Sequence, residues 1–359
     1  MITLPDADGL TVMLLATHRC QLACGYCEMP FAEQDMPREL VARVVLDLDH
    51  RLSTGCPLTL VWHGGEPLLR GVAFYRWVHG LLAPVRARRP VRNVLQTNGL
   101  LLDSDFLDLL GESGDFLPIL SMDGPEAVTG ATRGVGVEPY QRLFAELRRR
   151  GLDFGVSVVG SPVLRENLEE ALVWFAAHGL EQVGLTPYQT CAGSHRATPD
   201  LFADLALDAR GGPTLLGRNV LQGILDQRLR GVCRFSSFSA SCHRQVLCVD
   251  AEGGLSTCLR GKWSGLWTWG NAHSGGLDVW WTARDGPPPF RPSLPEACEA
   301  CTWERQCQGG CPSNARAMNG GADQPDFYCA SFKRLFLAAE RLVLEEAVAQ
   351  VEARRAAPH

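Results

Sequence analysis

The first half of the chain alternates short apolar runs with longer segments in which apolar residues recur at helical spacing. Continuous apolar runs of strand length are typical of parallel strands that are covered on both faces. Six repeats of a strand followed by a helix predict an α/β fold, with helices outside a parallel sheet that is either open or a partial barrel. The runs are TVMLLAT, LTLVWH, VRNVLQT, LPILSM, DFGVSVVG and QVGLTP, and the helical segments start near Pro37, Gly71, Asp103, Pro139 and Arg165.

The pattern changes after about residue 200. The stretch GGPTLLGRNVLQGILDQRLRG predicts one bridging helix, and the tail from Ser331 to about Arg354 predicts an amphipathic helix. Between them, a segment rich in Cys, Gly, Trp and Pro has few periodic runs, as in small domains that metal centres hold together. We predict a barrel domain, a bridging segment, a cysteine-rich domain and a C-terminal helix, over residues 1–200, 201–241, 242–335 and 336–359.

Composition narrows the function classes. The chain of 359 residues is 46% hydrophobic with a formal charge of -6, and its short basic runs give no nucleic-acid footprint. The first residues lack the pattern of a signal peptide, and no apolar run approaches the ~18 residues that span a bilayer. We therefore predict a cytoplasmic protein with no membrane partner. In that compartment, 14 cysteines favour metal or cluster ligation over disulfides.

Three cysteines follow the first predicted strand in THRCQLACGYCEMP, namely Cys20, Cys24 and Cys27. A cubane iron–sulfur cluster is normally held by four thiolates, so three would leave one iron open to a ligand. A structural zinc site would need a fourth ligand, for which His18 is the candidate. His18 stands two residues before Cys20 at the end of a strand, which would force an awkward chelate.

The spacing C-x3-C-x2-C, with Tyr26 before the last cysteine, resembles the radical SAM superfamily. The resemblance implies that the open iron chelates the amino and carboxylate groups of S-adenosylmethionine (SAM). Reductive cleavage would then give a 5′-deoxyadenosyl radical that abstracts hydrogen from a substrate. The cofactor would supply this chemistry and the protein the orientation.

Further motifs follow at the ends of the next three predicted strands, where open α/β sheets bind ligands. WHGGEPLL resembles the family's GGEP motif, whose glycines would let the backbone approach the ligand and whose glutamate would pair with the SAM ammonium. QTNG and SMDGP imply contacts to the sulfonium or ribose, with an arginine for the carboxylate. Turn chemistry is the alternative for each motif. The implied SAM contacts are Tyr26, Gly64, Gly65, Glu66, Pro67, Asn98, Ser121 and Arg133.

Eight more cysteines lie downstream, enough for two fully ligated cubanes or for zinc sites. Their spacing resembles the SPASM extension of radical SAM enzymes, whose signature is C-x2-C-x5-C-x3-C with a further cysteine downstream. Together with the N-terminal cluster, the resemblance implies three [4Fe-4S] clusters, of which the two auxiliary ones serve electron transfer or structure. The first auxiliary set would be Cys242, Cys248, Cys258 and Cys311, and the second Cys298, Cys301, Cys307 and Cys329.

Two candidates for a direct catalytic role remain. Cys191 follows the sixth strand, so this thiol could return a hydrogen atom to a substrate, as in some radical SAM epimerases. Asp123 could serve as a base beside a substrate radical, with a turn role as the alternative. Cys56 and Cys233 are expected to be small buried hydrophobes. Trp263, Trp267 and Trp269 are expected to pack around the clusters.

Two substrate classes fit this architecture. The resemblance favours a ribosomally made peptide that undergoes cross-linking, oxidation or epimerisation. The alternative is oxidation or epimerisation of a small alcohol or sugar-like metabolite, which the absence of a leader-binding module before the first strand makes more plausible. Sulfatase-maturing relatives carry an acidic residue after the third SPASM cysteine, where this chain has Leu259, so sulfatase maturation is disfavoured. An electron donor such as flavodoxin or ferredoxin is implied. The GGEP motif beside the three-cysteine site argues against a non-enzymatic function of this chain as a ferredoxin-like electron carrier.

Overall fold

The computed structural model describes residues 9–181, 183–189, 197–231, 242–266, 268–286 and 293–356. Its first six strands lie side by side in chain order, and every adjacent pair is parallel. All six predicted strands are thereby confirmed. They are β1 (Leu10–Thr17), β2 (Leu58–Gly64), β3 (Val91–Thr97), β4 (Phe116–Ser121), β5 (Gly155–Gly160) and β6 (Val183–Pro187).

Helices connect these strands and cover one face of the sheet. Helix ends follow local chemistry: the Asp103 side chain accepts a hydrogen bond from the Phe106 N–H at 3.0 Å, and Gly114 ends the same helix in the left-handed conformation. The helices are α1 (Arg38–Arg51), α2 (Val72–Leu81), α3 (Ala83–Arg86), α4 (Ser104–Ser113), α5 (Glu126–Arg133), α6 (Glu138–Arg149), α7 (Pro162–Glu166) and α8 (Leu168–Ala177), with a 3-10 turn at Pro67–Arg70.

Burial alternates along β2 to β6. In β2, for example, Leu60 and Trp62 are buried under the helices, whereas Val61 and His63, which alternate with them, are only half-buried. Successive side chains of a strand point to opposite faces, so one face belongs to the core and the other lines an open interior. This is the pattern of a partial (β/α)6 barrel, whose open interior we call the lumen.

The cysteine-rich segment extends the barrel sheet, which the sequence did not predict. Strand β7 (Val246–Val249) pairs in parallel with β1. Strand β8 (Gly254–Ser256) then pairs antiparallel with β7, and β9 (Thr268–Asn271) pairs antiparallel with β8, giving one nine-stranded sheet. The remaining elements are α9 (Leu201–Ala206), α10 (Arg218–Arg230), α11 (Cys242–Gln245), β7 (Val246–Val249), β8 (Gly254–Ser256), α12 (Leu259–Trp263), β9 (Thr268–Asn271), α13 (Gly276–Ala283), α14 (Glu304–Cys307), α15 (Pro312–Asn319) and α16 (Cys329–Ala356), with 3-10 turns at Ala272–Ser274 and Glu296–Cys298.

The two predicted C-terminal helices are present with different starts. The bridging helix begins at Arg218 rather than near Gly211, because the chain turns tightly against α9 before it: a Cβ on Gly217 would lie 1.8 Å from the Ala206 carbonyl oxygen. The tail helix begins at Cys329, two residues before its predicted start. In the described part of the chain, none of the helices has the length and apolarity needed to cross a bilayer.

Candidate functional site

The first three cysteines lie in the loop between β1 and α1, at the carboxyl end of the sheet. Backbone hydrogen bonds dock this loop on the end of β2: the Gly65 N–H donates to the Thr17 oxygen at 2.9 Å, and the Glu66 N–H donates to the Arg19 oxygen at 2.7 Å. Arg19 also pairs with Asp35 at 2.8 Å. The predicted cluster loop and the GGEP segment therefore form one structural unit.

The two glycines of this unit permit a close contact with the cysteine loop. A Cβ on Gly64 would lie 2.2 Å from the Thr17 oxygen, and a Cβ on Gly65 would lie 2.1 Å from the Arg19 oxygen. Gly64 also has a φ of 121°, which side chains rarely adopt. In the structure these glycines approach the end of β1 and the cysteine loop, and their predicted approach to a ligand stays a prediction.

Gly65→Ala should therefore displace the cysteine loop. The atom that this Cβ would strike, the Arg19 carbonyl oxygen, belongs to the backbone, so the clash can be relieved only by moving the loop. A shift of about 1 Å can cost ~100-fold in rate. We expect SAM cleavage to 5′-deoxyadenosine to fall by about that factor in an anaerobic assay. Gly80→Ala is the control, since a Cβ at this position in α2 meets no atom within 4 Å. Equal rates in both variants would contradict the packing role.

Glu66 is buried and bridges the ends of β2 and β3. Its Oε1 accepts from the Leu68 N–H at 2.9 Å and from the Thr97 hydroxyl at 2.7 Å, and its Oε2 accepts from the Asn98 N–H at 2.8 Å. Burial raises the pKa of this carboxyl to about 7. Oε2 retains room for another donor, so the predicted contact to the SAM ammonium fits. Pro67 opens the 3-10 turn that follows.

Asn98 connects the end of β3 to the cysteine loop. Its Oδ1 accepts from the Gln21 side-chain amide at 3.0 Å and from the Leu100 N–H at 3.1 Å. Gln21 follows Cys20 directly, so Asn98 positions the first cluster cysteine through its neighbour. The structure thus brings Asn98 beside the three-cysteine loop, and its predicted contact with SAM stays a prediction.

Asp123 and Arg133 form a buried pair. Arg133 donates from Nε at 2.9 Å and from Nη2 at 3.1 Å to the two carboxylate oxygens of Asp123. Burial alone would lower the pKa of Arg133, but the Asp123 carboxylate beside it raises that pKa, so the guanidinium stays charged. In this conformation the arginine that was assigned to the SAM carboxylate is already bound to a carboxylate of the chain. Its contact with SAM stays a prediction that would require this pair to rearrange.

Asp123 also holds the cysteine loop. Tyr26 donates its hydroxyl to Oδ2 at 2.7 Å, as does Thr132 at 2.7 Å, and the Val159 N–H donates to Oδ1 at 3.0 Å. With the two bonds from Arg133, the buried carboxylate accepts five hydrogen bonds. The predicted role as a base would require some of these bonds to break. The structure shows Asp123 as the anchor of Tyr26, and its role as a base stays a prediction.

A layer of uncharged polar side chains faces the lumen near the carboxyl ends of the strands. Gln96 donates to the Ser121 hydroxyl at 2.7 Å, and the Ser157 and Thr186 hydroxyls lie 3.4 Å apart. The Gly64 N–H donates a hydrogen bond to His63 Nδ1 at 2.7 Å, so the neutral ring carries its own proton on Nε2. Burial lowers the pKa of His63 to about 4, so the ring is neutral.

Sequence reasoning found only part of this layer, which we call the lumen layer: His63, Gln96, Ser121, Ser157 and Thr186. Ser121 was assigned to SAM, and Gln96 stood in a quoted motif without a role. His63, Ser157 and Thr186 were missed, although each lies at or near the end of a predicted strand. That position is the signal that could have identified them, since ligands bind where parallel strands end.

The second auxiliary set of cysteines converges. Cys298, Cys301, Cys307 and Cys329 together line one pocket. Across the described ranges, no three side chains of His, Cys, Asp or Glu come close enough to share one metal ion. The four thiols lie along the wall of one cavity, and this arrangement suits a multi-iron cluster whose ligands bind separate irons.

The first auxiliary set spans the sheet extension. Cys242 begins α11, Cys248 lies on β7, Cys258 precedes α12 and Cys311 precedes α15. Burial raises the pKa of Cys248 to about 12 and that of Cys258 to about 11. Cys258 contributes to the raised pKa of Cys248, and Cys311 contributes to the raised pKa of Cys258. The pKa of Cys307 is raised in part by Cys298, Cys301 and Cys329. Thiols thus influence members of their own predicted set, which supports the partition.

The other cysteines and the tryptophans divide by position. Cys56 lies just before β2, at the opposite end of the barrel from the cluster loop, and its thiol faces the Pro57 oxygen. Trp263 and Cys258 both pack against a small core cluster that includes Cys248, and Trp269 donates to the Thr257 hydroxyl at 3.1 Å, so both tryptophans lie near cysteines of the first auxiliary set. Three further candidates lie outside the described residues, namely Cys191, Cys233 and Trp267.

The family follows from comparison with known proteins. The family model described as the radical SAM superfamily matches residues 14–175, which include the cysteine loop, Glu66, Asn98 and the Asp123–Arg133 pair. Residues 14–175 form a radical SAM domain. Its cofactors are accordingly SAM and a [4Fe-4S] cluster.

The chain has curated relatives along nearly its whole length. It is 22% identical to the cysteine-type anaerobic sulfatase-maturating enzyme of Clostridium perfringens, over 89% of this chain and 93% of the relative. It is 24% identical to the serine-type anaerobic sulfatase-maturating enzyme of Klebsiella pneumoniae, over 88% of this chain and 84% of the relative. The similarity therefore continues beyond the barrel into the cysteine-rich segment.

Solved structures share its fold. Native anSMEcpe with bound AdoMet and Cp18Cys peptide superposes with a TM-score of 0.80 at 20% identity, over 95% of this chain and 99% of that one. Streptococcus suis SuiB bound to precursor peptide SuiA gives a TM-score of 0.64 at 15% identity, over 90% of this chain and 76% of that one. The predicted fold class, a partial barrel with a SPASM-type extension, is confirmed.

Proposed function

We propose that this radical SAM enzyme abstracts a hydrogen atom from a peptide and so begins an oxidation, a cross-link or an epimerisation. The observation that carries the proposal is the cysteine loop docked on Glu66 and Asn98 at the mouth of a lumen lined by uncharged polar groups. The relatives support the peptide: curated ones are named as sulfatase-maturating enzymes, and two solved neighbours hold peptides.

Cys20, Cys24 and Cys27 would hold the catalytic cluster. When bound, the cluster and SAM supply a 5′-deoxyadenosyl radical. Burial raises the pKa of Cys24 to about 11, so its thiol must lose a proton as iron binds. Glu66 would accept the SAM ammonium at Oε2, and Asn98 and Ser121 would face the rest of the ligand. The loop contacts from Gly65, Asn98 and Asp123 would keep the three thiols in place.

The lumen layer fits the backbone of a peptide. His63 offers an Nε2–H donor, while the Ser157 and Thr186 hydroxyls can donate or accept. Peptide amides present one donor and one acceptor per residue and carry no charge, so they match neutral groups of both kinds. An anionic metabolite would instead be expected to select Arg or Lys in the layer, and its five members are all uncharged near neutral pH.

The two downstream cysteine sets would hold two auxiliary [4Fe-4S] clusters within a cysteine-rich domain over about residues 242–335. Oxidation of a substrate radical releases one more electron, and a fully ligated cluster can accept it without binding substrate. A cytoplasmic flavodoxin or ferredoxin would deliver the electron that starts each turnover. Cys191 would serve as a hydrogen donor only if the product is an epimer.

Deuterium transfer tests the peptide proposal. Cells that natively make the enzyme are grown in deuterated medium, and their extract is separated into a peptide and a small-molecule fraction. The reconstituted enzyme is incubated with each fraction, and 5′-deoxyadenosine is analysed by mass spectrometry. We expect a gain of one deuterium with the peptide fraction. Transfer from the small-molecule fraction alone would replace the peptide by an alcohol or sugar-like substrate.

A further inference from the structure

Asp326 lies between the ligands proposed for the two auxiliary clusters. It is buried, three residues before Cys329 of the second set. Its Oδ2 accepts from the Cys311 N–H, of the first set, at 2.7 Å, and its Oδ1 accepts from the Tyr328 N–H at 2.8 Å. One side chain therefore contacts the backbone at or beside a cysteine of each set.

The loop Cys307–Cys311 is packed tightly on this residue. The Asp326 N–H donates to the Gly309 oxygen at 3.2 Å, and a Cβ on Gly310 would lie 2.3 Å from the Asp326 Cβ. The spacing between this loop and Asp326 is therefore fixed by backbone contact and does not depend on a mobile side chain.

The hydrogen-bond partners of Asp326 indicate its charge. The Cys311 and Tyr328 amides can only donate, and the Asn314 side-chain nitrogen also donates at 3.1 Å. Burial raises the pKa of Asp326, whereas the hydrogen bonds from these three donors lower it and favour the ionised carboxylate.

The charge lies close to both cysteine sets. Asp326 lines the same pocket as Cys298, Cys301, Cys307 and Cys329 of the second set, and its Oδ2 accepts from the N–H of Cys311 in the first set. Arg260 lies beside the first set instead, because it follows Cys258 by two residues and donates to the Asn314 side-chain oxygen at 3.4 Å.

We infer that Asp326 is a positioning residue that holds a fixed negative charge between the two auxiliary clusters and lowers the reduction potentials of both. The inference rests on the proposed clusters. Reduction adds an electron to each cluster, and a buried anion nearby makes that addition less favourable. Groups around a cluster are known to set its potential in this way.

Redox titration of Asp326→Asn followed by electron paramagnetic resonance tests this inference. The amide has nearly the same shape without the charge, so we expect the midpoint potentials of both auxiliary clusters to rise, while that of the SAM-binding cluster stays unchanged. Asp323→Asn is the matched control, because it removes the same charge from an exposed side chain of the same segment. Potentials that rise for one auxiliary cluster only, or for neither, would overturn the inference.

Two further variants complete the test. Arg260→Gln should shift only the first auxiliary cluster, and toward lower potential; a shift of both clusters would count against the proposed charge map. If Asp326→Asn loses auxiliary iron, Asp326→Glu should recover it and both potentials, and failure to do so would exclude charge as the cause. Wild-type protein with about four irons per chain, rather than about twelve from three cubanes, would instead refute the auxiliary clusters themselves.

Discussion

Cys20→Ala should end the formation of 5′-deoxyadenosine. Without Cys20, only Cys24 and Cys27 remain in this loop to hold the N-terminal cluster beside Glu66. No further cysteine of the described residues lies in the loop to replace the lost thiol. After anaerobic reconstitution, we expect iron to fall from about twelve to about eight per chain, since the two proposed auxiliary cubanes would be held by other segments. Product formation with a chemical reductant should fall to the level without protein.

Cys56→Ala is the matched control for this loss. It removes a thiol at the other end of the barrel and should retain both the iron and the cleavage of SAM. Cys258→Ala adds a second comparison, because it should lower auxiliary iron while SAM cleavage without substrate continues. Persistent 5′-deoxyadenosine formation by Cys20→Ala would sink the assignment of the catalytic cluster to this loop.

The parts of the site that the sequence predicted are those that the ends of parallel strands determine. Each quoted motif follows a buried apolar run, and parallel strands bring their carboxyl ends to the same edge of the sheet. The cysteine loop, Glu66 and Asn98 therefore lie together, as the order of motifs along the chain implied. The continuous apolar runs predicted strands covered on both faces, whereas burial alternates along β2 to β6 and leaves an open face on which the lumen layer lies.

The remaining features depend on contacts between distant segments. Arg133 was assigned to the SAM carboxylate by resemblance to the family. The sequence does not show its pairing with Asp123, which lies ten residues earlier and also binds Val159 on β5. A glycine in the sequence indicates that another group comes close to the backbone at that position, but it does not show which segment of the chain this is. Strand β7 has only four residues, too few for periodicity to identify within a cysteine-rich segment.

Asp123→Asn should strongly destabilise the protein. The change leaves the buried guanidinium of Arg133 without its counter-charge and replaces one acceptor oxygen by an amide that faces donors. Removing one partner of a buried pair typically costs about 3–5 kcal/mol in the free energy of unfolding. Urea unfolding of the anaerobically reconstituted enzyme would measure this loss. Tyr26→Phe, which removes one hydrogen bond, should cost about 1 kcal/mol.

Arg142→Gln is the control for ion-pair loss, because Arg142 and Glu138 form an exposed pair on α6 that should contribute no more than about 1 kcal/mol. The same experiment separates the two roles of Asp123. If Asp123 anchors the cysteine loop through Tyr26, then 5′-deoxyadenosine formation without substrate falls together with stability. If Asp123 is instead a base for the substrate radical, the Asn variant keeps its stability and still cleaves SAM, and loses only the later product. Five donors around one buried carboxylate lead us to expect the first result.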